Sequence, residues 1–569
     1  MTVERDTGPG SKASTKFTAT VDGGANHVYG FSRAAGFGNR YWNAGDTVYT
    51  SWLNYGADAA TTVVITRLAG AITSAVVYPT RLSIPATIVG STVTIAMPAN
   101  TKVFVIINND WKSHLAIFSD EFSIAPLPGW VTYNGTQTEV ANDTTLYFSP
   151  GSVYELNIAA DHTGGPSAAG YRELDHQLFP VRARGNVHIA RGAWVVGSFD
   201  MRGGADSAIY GYGVLSGEWA SDSDIENILQ GTGLTFGEQV MWSMFCGWDG
   251  GVDYQFPGMS VDGITIVGQP FYNSISCIHE KTNLKVFSHW WYNCDSLGVD
   301  NDTNTGERLV ADCFALTGDD GLIFQDNWGV QVARDCFIIG NGGSPITLGY
   351  WPMVRDTFTA SPSTTITNVD VMHLQPAADG GFNLFDGAAW GAYDPDVSPN
   401  GSRDAYSCSV IKLWLDGSAS TPDYTRENIT IDGLYVENSP GSPLFSIETN
   451  YYPWGMTTET NATPWIHDAK GDCRNIVIRN VTVDEMTVGR AVARGHAARH
   501  HVRGHHGGRR RDRRAQLASL HQAERVSLRD HGRRTHHGFR RRHLQPCPVP
   551  HRRHCRGHRD CAFGRIGSG

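Results

Sequence analysis

The chain has 569 residues, enough for several cores, with 64 glycines, 11% aromatic and only 18% charged residues. Such text favours an all-β protein with many turns. No apolar run reaches the length of a membrane span, and the opening MTVERDTGPGSKASTKF lacks the apolar centre of a signal peptide.

The formal charge of −10 divides unevenly. Residues 490–569 carry 21 Arg, no Lys and 4 acidic residues, or +17, leaving 25 basic and 52 acidic residues, or −27, for residues 1–489. An acidic body disfavours nucleic acid and suits a neutral ligand. The 490–569 segment, with 13 of the 22 His, can be read as a basic RNA-binding arm. The preferred reading is GC-rich gene text out of frame, because ordinary strand text ends abruptly just before it. Disorder is the expectation there.

In chain order, residues 1–16 read as a flexible N-terminus. Residues 17–135 read as a β-sandwich, from short alternating strands such as DTVYTSWLNY, TTVVITRL, STVTIAM and KVFVIIN, broken by Gly, Pro, Asn or Asp. Residues 136–489 change character. MSVDGITIVG (259–268), VQVARDCFIIG (330–340), TITNVDVMHL (365–374), ITIDGLYVEN (429–438) and IVIRNVTVDE (476–485) share one unit: an apolar strand, a Gly, Asn or Asp corner, and another strand. Phe314 and Phe337 lie 23 residues apart in like places, as do Cys313 and Cys336. Strand-only repeats of this length point to a right-handed parallel β-helix with inward apolar, Cys and aromatic ladders. The alternative is an ordinary sandwich with coincidental similarity. Seven cysteines in the body form no CxxC pair, so each is read as a buried thiol, with one or two bridges open.

The chemistry concentrates in LTGDDGLIFQ, residues 316–325. Asp319 and Asp320 sit between Gly318 and Gly321 in apolar text. On a regular strand one would be buried, at a steep cost. Glycine permits a corner in which both face outward. With a coil of about 23 residues, a partner is expected near residue 296. The text there is CDSLGVDNDTNTG, with Asp295, Asp300 and Asp302, and Asp300 precedes Asp319 by 19 residues. Clustered carboxylates serve either calcium binding or glycoside hydrolysis. Nearby Trp290, Trp291, Trp328 and Trp351 tip the choice to sugar, whose rings stack on indole faces.

GVDND followed by TGDDGLIFQD, on a β-helix behind a β-sandwich, resembles glycoside hydrolase family 49, which contains dextranases and isopullulanases. GVLSGE (213–218) resembles an early coil of this and related families. The polygalacturonase family shares the fold but needs Gly-His-Gly and Arg-Ile-Lys patterns that this chain lacks. The resemblance implies an inverting endo-hydrolase of α-1,6 bonds in dextran, with Asp319 as general acid and Asp300 and Asp320 activating water. Isopullulanase action is the alternative within the family, and a polygalacturonase-like hydrolase, a non-catalytic carbohydrate-binding β-helix or a calcium-dependent lyase the alternatives outside it. Substrate contacts are expected from Trp290, Trp291, Asn301, Asp302, Trp328, Tyr350 and Trp351. Asn301 lies in a glycosylation sequon beside Asp300, and is expected to stay unmodified because a glycan would block the cleft. The expected protein is a secreted monomer acting on an α-glucan, with no cofactor, no metal, and no nucleic-acid or membrane partner.

Overall fold

The corners of the repeat explain its shape. Between the first and second strand of successive coils stand Gly263, Asn283, Asp312, Asp335, Asn368, Gly433 and Asn480, all with φ between 52° and 80°. Only glycine, or a short polar side chain that bonds locally, enters this left-handed region readily. Each corner turns the chain so that the next strand can lie on the same solenoid.

In this computed structural model the described residues are 2–34, 46–156, 180–201, 207–222, 225, 244–246, 259–270, 274–275, 278–290, 297, 308–324, 330–340, 344–348, 363–373, 409–414, 425–437, 444–448 and 472–484. The expected disorder of 490–569 lies outside them.

The chain is all-β, a β-sandwich followed by a right-handed parallel β-helix. In the sandwich, one sheet runs Val3–Arg5, Thr47–Ala57, Ser113–Asp120, Thr101–Ile107 and Ala75–Tyr78, with Tyr29–Ala34 also on Thr47–Ala57. The other runs Gly24–Asn26, Phe17–Val21, Thr61–Arg67, Thr92–Met97 and Ala86–Val89. The 1–16 segment, expected to be flexible, is corrected here. Val3–Arg5 pairs with Thr47–Ala57, and Asp6 behind it is buried.

The helix has three columns of parallel strands. One coil runs Arg308–Ala311, Phe314–Thr317, Leu322–Phe324, and the next Val330–Arg334, Phe337–Gly340, Ile346–Leu348. Column strands lie about 4.8 Å apart. Column pairing begins at Val131–Thr132, slightly before residue 136, and the last described strand is Asp472–Val483. The inner core stacks Ile209, Val261, Ile266, Val286, Val310, Cys313, Ala333, Cys336 and Ile338. Cys313 and Cys336 are buried free thiols.

The aromatic ladder requires a correction. Phe314 and Phe337 are in register on adjacent coils, and Phe287 lies one coil earlier opposite Leu316, but all three face the sandwich, not the inner core. Phe118 meets Phe287 at 6.1 Å and Phe314 at 5.2 Å between centroids, and Trp52 meets Phe287 at 5.2 Å. The sandwich strands opposite are therefore apolar on both faces. Leu53, Tyr55, Leu115 and Ile117 fill the sandwich, while Val48, Trp52, Ala116 and Phe118 press on the helix.

Polar groups are buried in the same seam. His114 Nδ1–H donates to Trp111 O at 3.0 Å, so its Nε2 accepts from the Thr50 hydroxyl at 2.8 Å. That hydroxyl in turn accepts from His289 Nε2–H at 3.1 Å. Burial pushes His114 down to about 4.

Asp6 gives a pH-dependent stability. Burial drives its carboxyl up to about 7 against the opposing pull of Arg191 and of the Tyr29 hydroxyl, which donates to both carboxylate oxygens at 3.0 Å. A folded value above the unfolded one means that the native state binds more protons between about pH 4 and 7. This contribution is complete below that window and is lost as pH rises through it. Buried His114, His27 and His188 are pushed down and act in the opposite sense. The difference between wild type and Asp6→Asn isolates the effect. Urea titrations should show wild type losing up to a few kcal/mol relative to Asp6→Asn from about pH 4 to pH 8; parallel curves would contradict it.

Candidate active site

Asp319 and Asp320 occupy the bend between Phe314–Thr317 and Leu322–Phe324, where the second column passes to the third. Three coils meet there. Leu297 N–H donates to Gly321 O at 2.7 Å, Gly321 N–H to Ser344 O at 3.0 Å, and Leu322 N–H to Pro345 O at 2.8 Å. Leu322 pairs with Ile346. The matching offset of the Leu297 bond sets Leu297 one coil before Leu322, 25 residues earlier.

The two carboxyl residues differ in burial. Asp320 is only 9% exposed, and Asp319 is half-buried. Ser344 N–H donates to Asp320 Oδ1 at 2.6 Å. The Thr317 hydroxyl lies 3.1 Å from both Asp319 O and Asp320 O, and accepts Asp319 N–H at 3.3 Å. Thr317 and Ser344 were not singled out from the sequence. The usable signal for Thr317 was the hydroxyl residue opening TGDDG; Ser344 acts through its backbone amide and left none.

Gly321 acts through space. A Cβ there would lie 2.5 Å from Ile338 Cγ2 and 2.7 Å from the Pro345 carbonyl oxygen. The glycine expected to supply a corner conformation instead lets the next coil approach. Gly321→Ala should destabilise by about 1–3 kcal/mol and displace the Asp320–Ser344 contact. Thermal unfolding together with turnover checks this, and an unchanged melting temperature would refute it.

Trp290 is corrected as a sugar platform. It is 1% exposed, edge-on to Phe31 at 5.0 Å, with His289 4.0 Å away between centroids, and its Nε1–H faces Val48 O at 3.4 Å. It is a wedge between sandwich and helix. Asp300, Asn301, Asp302, Trp291, Trp328, Tyr350 and Trp351 lie outside the described residues. Among the described residues, no group of three or more His, Cys, Asp or Glu is arranged to hold a metal.

No protein-family model matches the chain, and no curated protein does. Among solved structures it is similar to Dex49A from Penicillium minioluteum, with 16% identity, 85% of this chain and 92% of that one covered, and a TM-score of 0.47. It is also similar to a family 28 exopolygalacturonase from Yersinia enterocolitica (10% identity, 74% and 96% covered, TM-score 0.26). A third is the catalytic domain of a GH87 alpha-1,3-glucanase (10%, 84% and 99%, TM-score 0.30). At these identities and scores none carries an argument about function, and the fold stands on the strand register above.

Proposed function

We propose that this chain is a glycoside hydrolase of the family 49 type, an inverting endo-dextranase that cuts α-1,6 bonds. The observation that carries the reading is the acidic bend at Asp319–Asp320, tied by Ser344 and Thr317 and set one coil after Leu297, with Asp300 in the sequence three residues beyond Leu297. Asp319 protonates the glycosidic oxygen. Asp300 and Asp320 hold and activate the attacking water, the base role that inversion requires. Asn301, Asp302, Trp291, Trp328, Tyr350 and Trp351 contact the glucan. The protein acts as a secreted monomer and needs no cofactor.

The test is hydrolysis of dextran and pullulan followed by proton NMR. The first reducing ends from dextran should be β-anomers, inverted from the α-linkage. Early α-anomers would overturn inversion, and an unsaturated product would indicate a lyase. Cleavage of pullulan alone would assign isopullulanase action. No cleavage of either polymer would overturn the hydrolase.

A further inference from the structure

We propose that Thr317 and Ser344 are positioning residues, a bracket that holds Asp320 as the fixed carboxylate and leaves the proton-donating role to Asp319. This rests on the hydrolase reading above. Spacing and resemblance alone do not separate acid from base in two adjacent aspartates. The bracket does so physically.

Thr317 ends the second-column strand with its side chain buried. Its hydroxyl proton reaches Asp319 O and Asp320 O, and its lone pair takes Asp319 N–H. One side chain thus closes the bend in both hydrogen-bonding senses, as local Ser and Thr bonds to backbone do. The backbone leading into both carboxyl groups is set by that single hydroxyl.

Ser344 acts from the next coil. Its amide donates to Asp320 Oδ1 at 2.6 Å, short for an N–H···O bond. An amide N–H favours the ionised carboxyl over the neutral acid. It also offsets the cost of burying that carboxylate. The coil junction around Gly321 fixes the amide, because Gly321 N–H donates to Ser344 O and Leu322 N–H to Pro345 O. With Asp320 held as an ion, a second negative charge on its neighbour is disfavoured. The proton therefore resides on Asp319, the less buried of the two.

The test compares Thr317→Val, which keeps the shape and removes the hydroxyl, with Thr317→Ser, which keeps the hydroxyl. A third protein carries a backbone ester in place of the 344 amide, introduced as the α-hydroxy analogue of serine. On dextran, Thr317→Val should lose about 10- to 100-fold in kcat with KM within about twofold, and Thr317→Ser should recover to within about threefold of wild type. The ester should move the acidic limb of the kcat/KM profile up by about one pH unit. The proposal is overturned if Thr317→Val matches wild type, if Thr317→Val and Thr317→Ser are equally impaired, or if the ester leaves the acidic limb in place. Should wild type cleave no α-glucan, the hydrolase reading fails separately. The bracket is then read without turnover, from infrared difference spectra of the amide and ester proteins. A carboxylate band lost at higher pH in the ester supports it, and superimposable titrations overturn it.

Discussion

Replacing Asp319 by asparagine should lower turnover of dextran about 10²- to 10⁴-fold while leaving affinity for the polymer intact. Asparagine has the size of aspartate but no proton to give a leaving glycosidic oxygen. The backbone N–H and carbonyl of residue 319 bond to the Thr317 hydroxyl, and these bonds survive the change. Melting temperature should shift far less than turnover, because asparagine keeps the size of aspartate and the Thr317 bonds to the 319 backbone. The alkaline limb of the rate profile should vanish with the acid that produced it. Initial rates, paired with retardation of the protein in dextran-containing gels, separate this from the behaviour of a binding protein. A wild type that binds but never cuts, with a variant indistinguishable from it, would place the chain among non-catalytic β-helices.

Much of the architecture was legible because the repeating corner needs a particular residue type. Asn283, Asp312, Asp335 and Asn368 stand where φ is positive, and each marks the join of two apolar strands. Outward and inward faces were harder to tell apart. Phe314 and Phe337 look like core residues in sequence because a second domain buries the outer face of their column. The same covering made Trp290 look like a platform for sugar when it is a wedge against Phe31. The acidic pair was legible as a bend flanked by glycines. Its supports were not, since Ser344 comes from the following coil and acts through its backbone amide, which no side-chain pattern reveals. The N-terminal segment was misread for a related reason. Val3–Arg5 is too short to show alternation, and its order comes from pairing with residues 55–57.

The other large effect is expected where the two domains meet. Lys285 Nζ donates to Asp120 Oδ2 at 2.8 Å and to Gly263 O at 3.0 Å, with both charged side chains no more than 1% exposed. Asp120 ends a sandwich strand and Lys285 opens a helix strand, so the pair ties the two architectures at one point. Burial pushes the Asp120 carboxyl up, but Lys285, Lys102 and Arg191 outweigh it and hold it below its ordinary value. Asp120→Asn should therefore destabilise by about 3–5 kcal/mol, because it leaves the Lys285 ammonium buried without a counter-charge beside two other cations. Lys285→Met should be milder, since Lys102 and Arg191 still act on the carboxylate. The double variant should recover part of the loss, because no buried charge faces a missing counter-charge at this pair, while the amide introduced at position 120 still lacks the partner that Lys285 supplied. Urea unfolding of the four proteins gives the coupling directly as a double-mutant cycle. Equal losses in the single variants, or additivity in the double, would mean that the seam is held by the Trp52–Phe287 and Phe118–Phe314 contacts and that the ion pair merely occupies it. A strong cycle would instead assign the pair a directional task that apolar contact cannot perform, fixing which coil of the helix each sandwich strand faces.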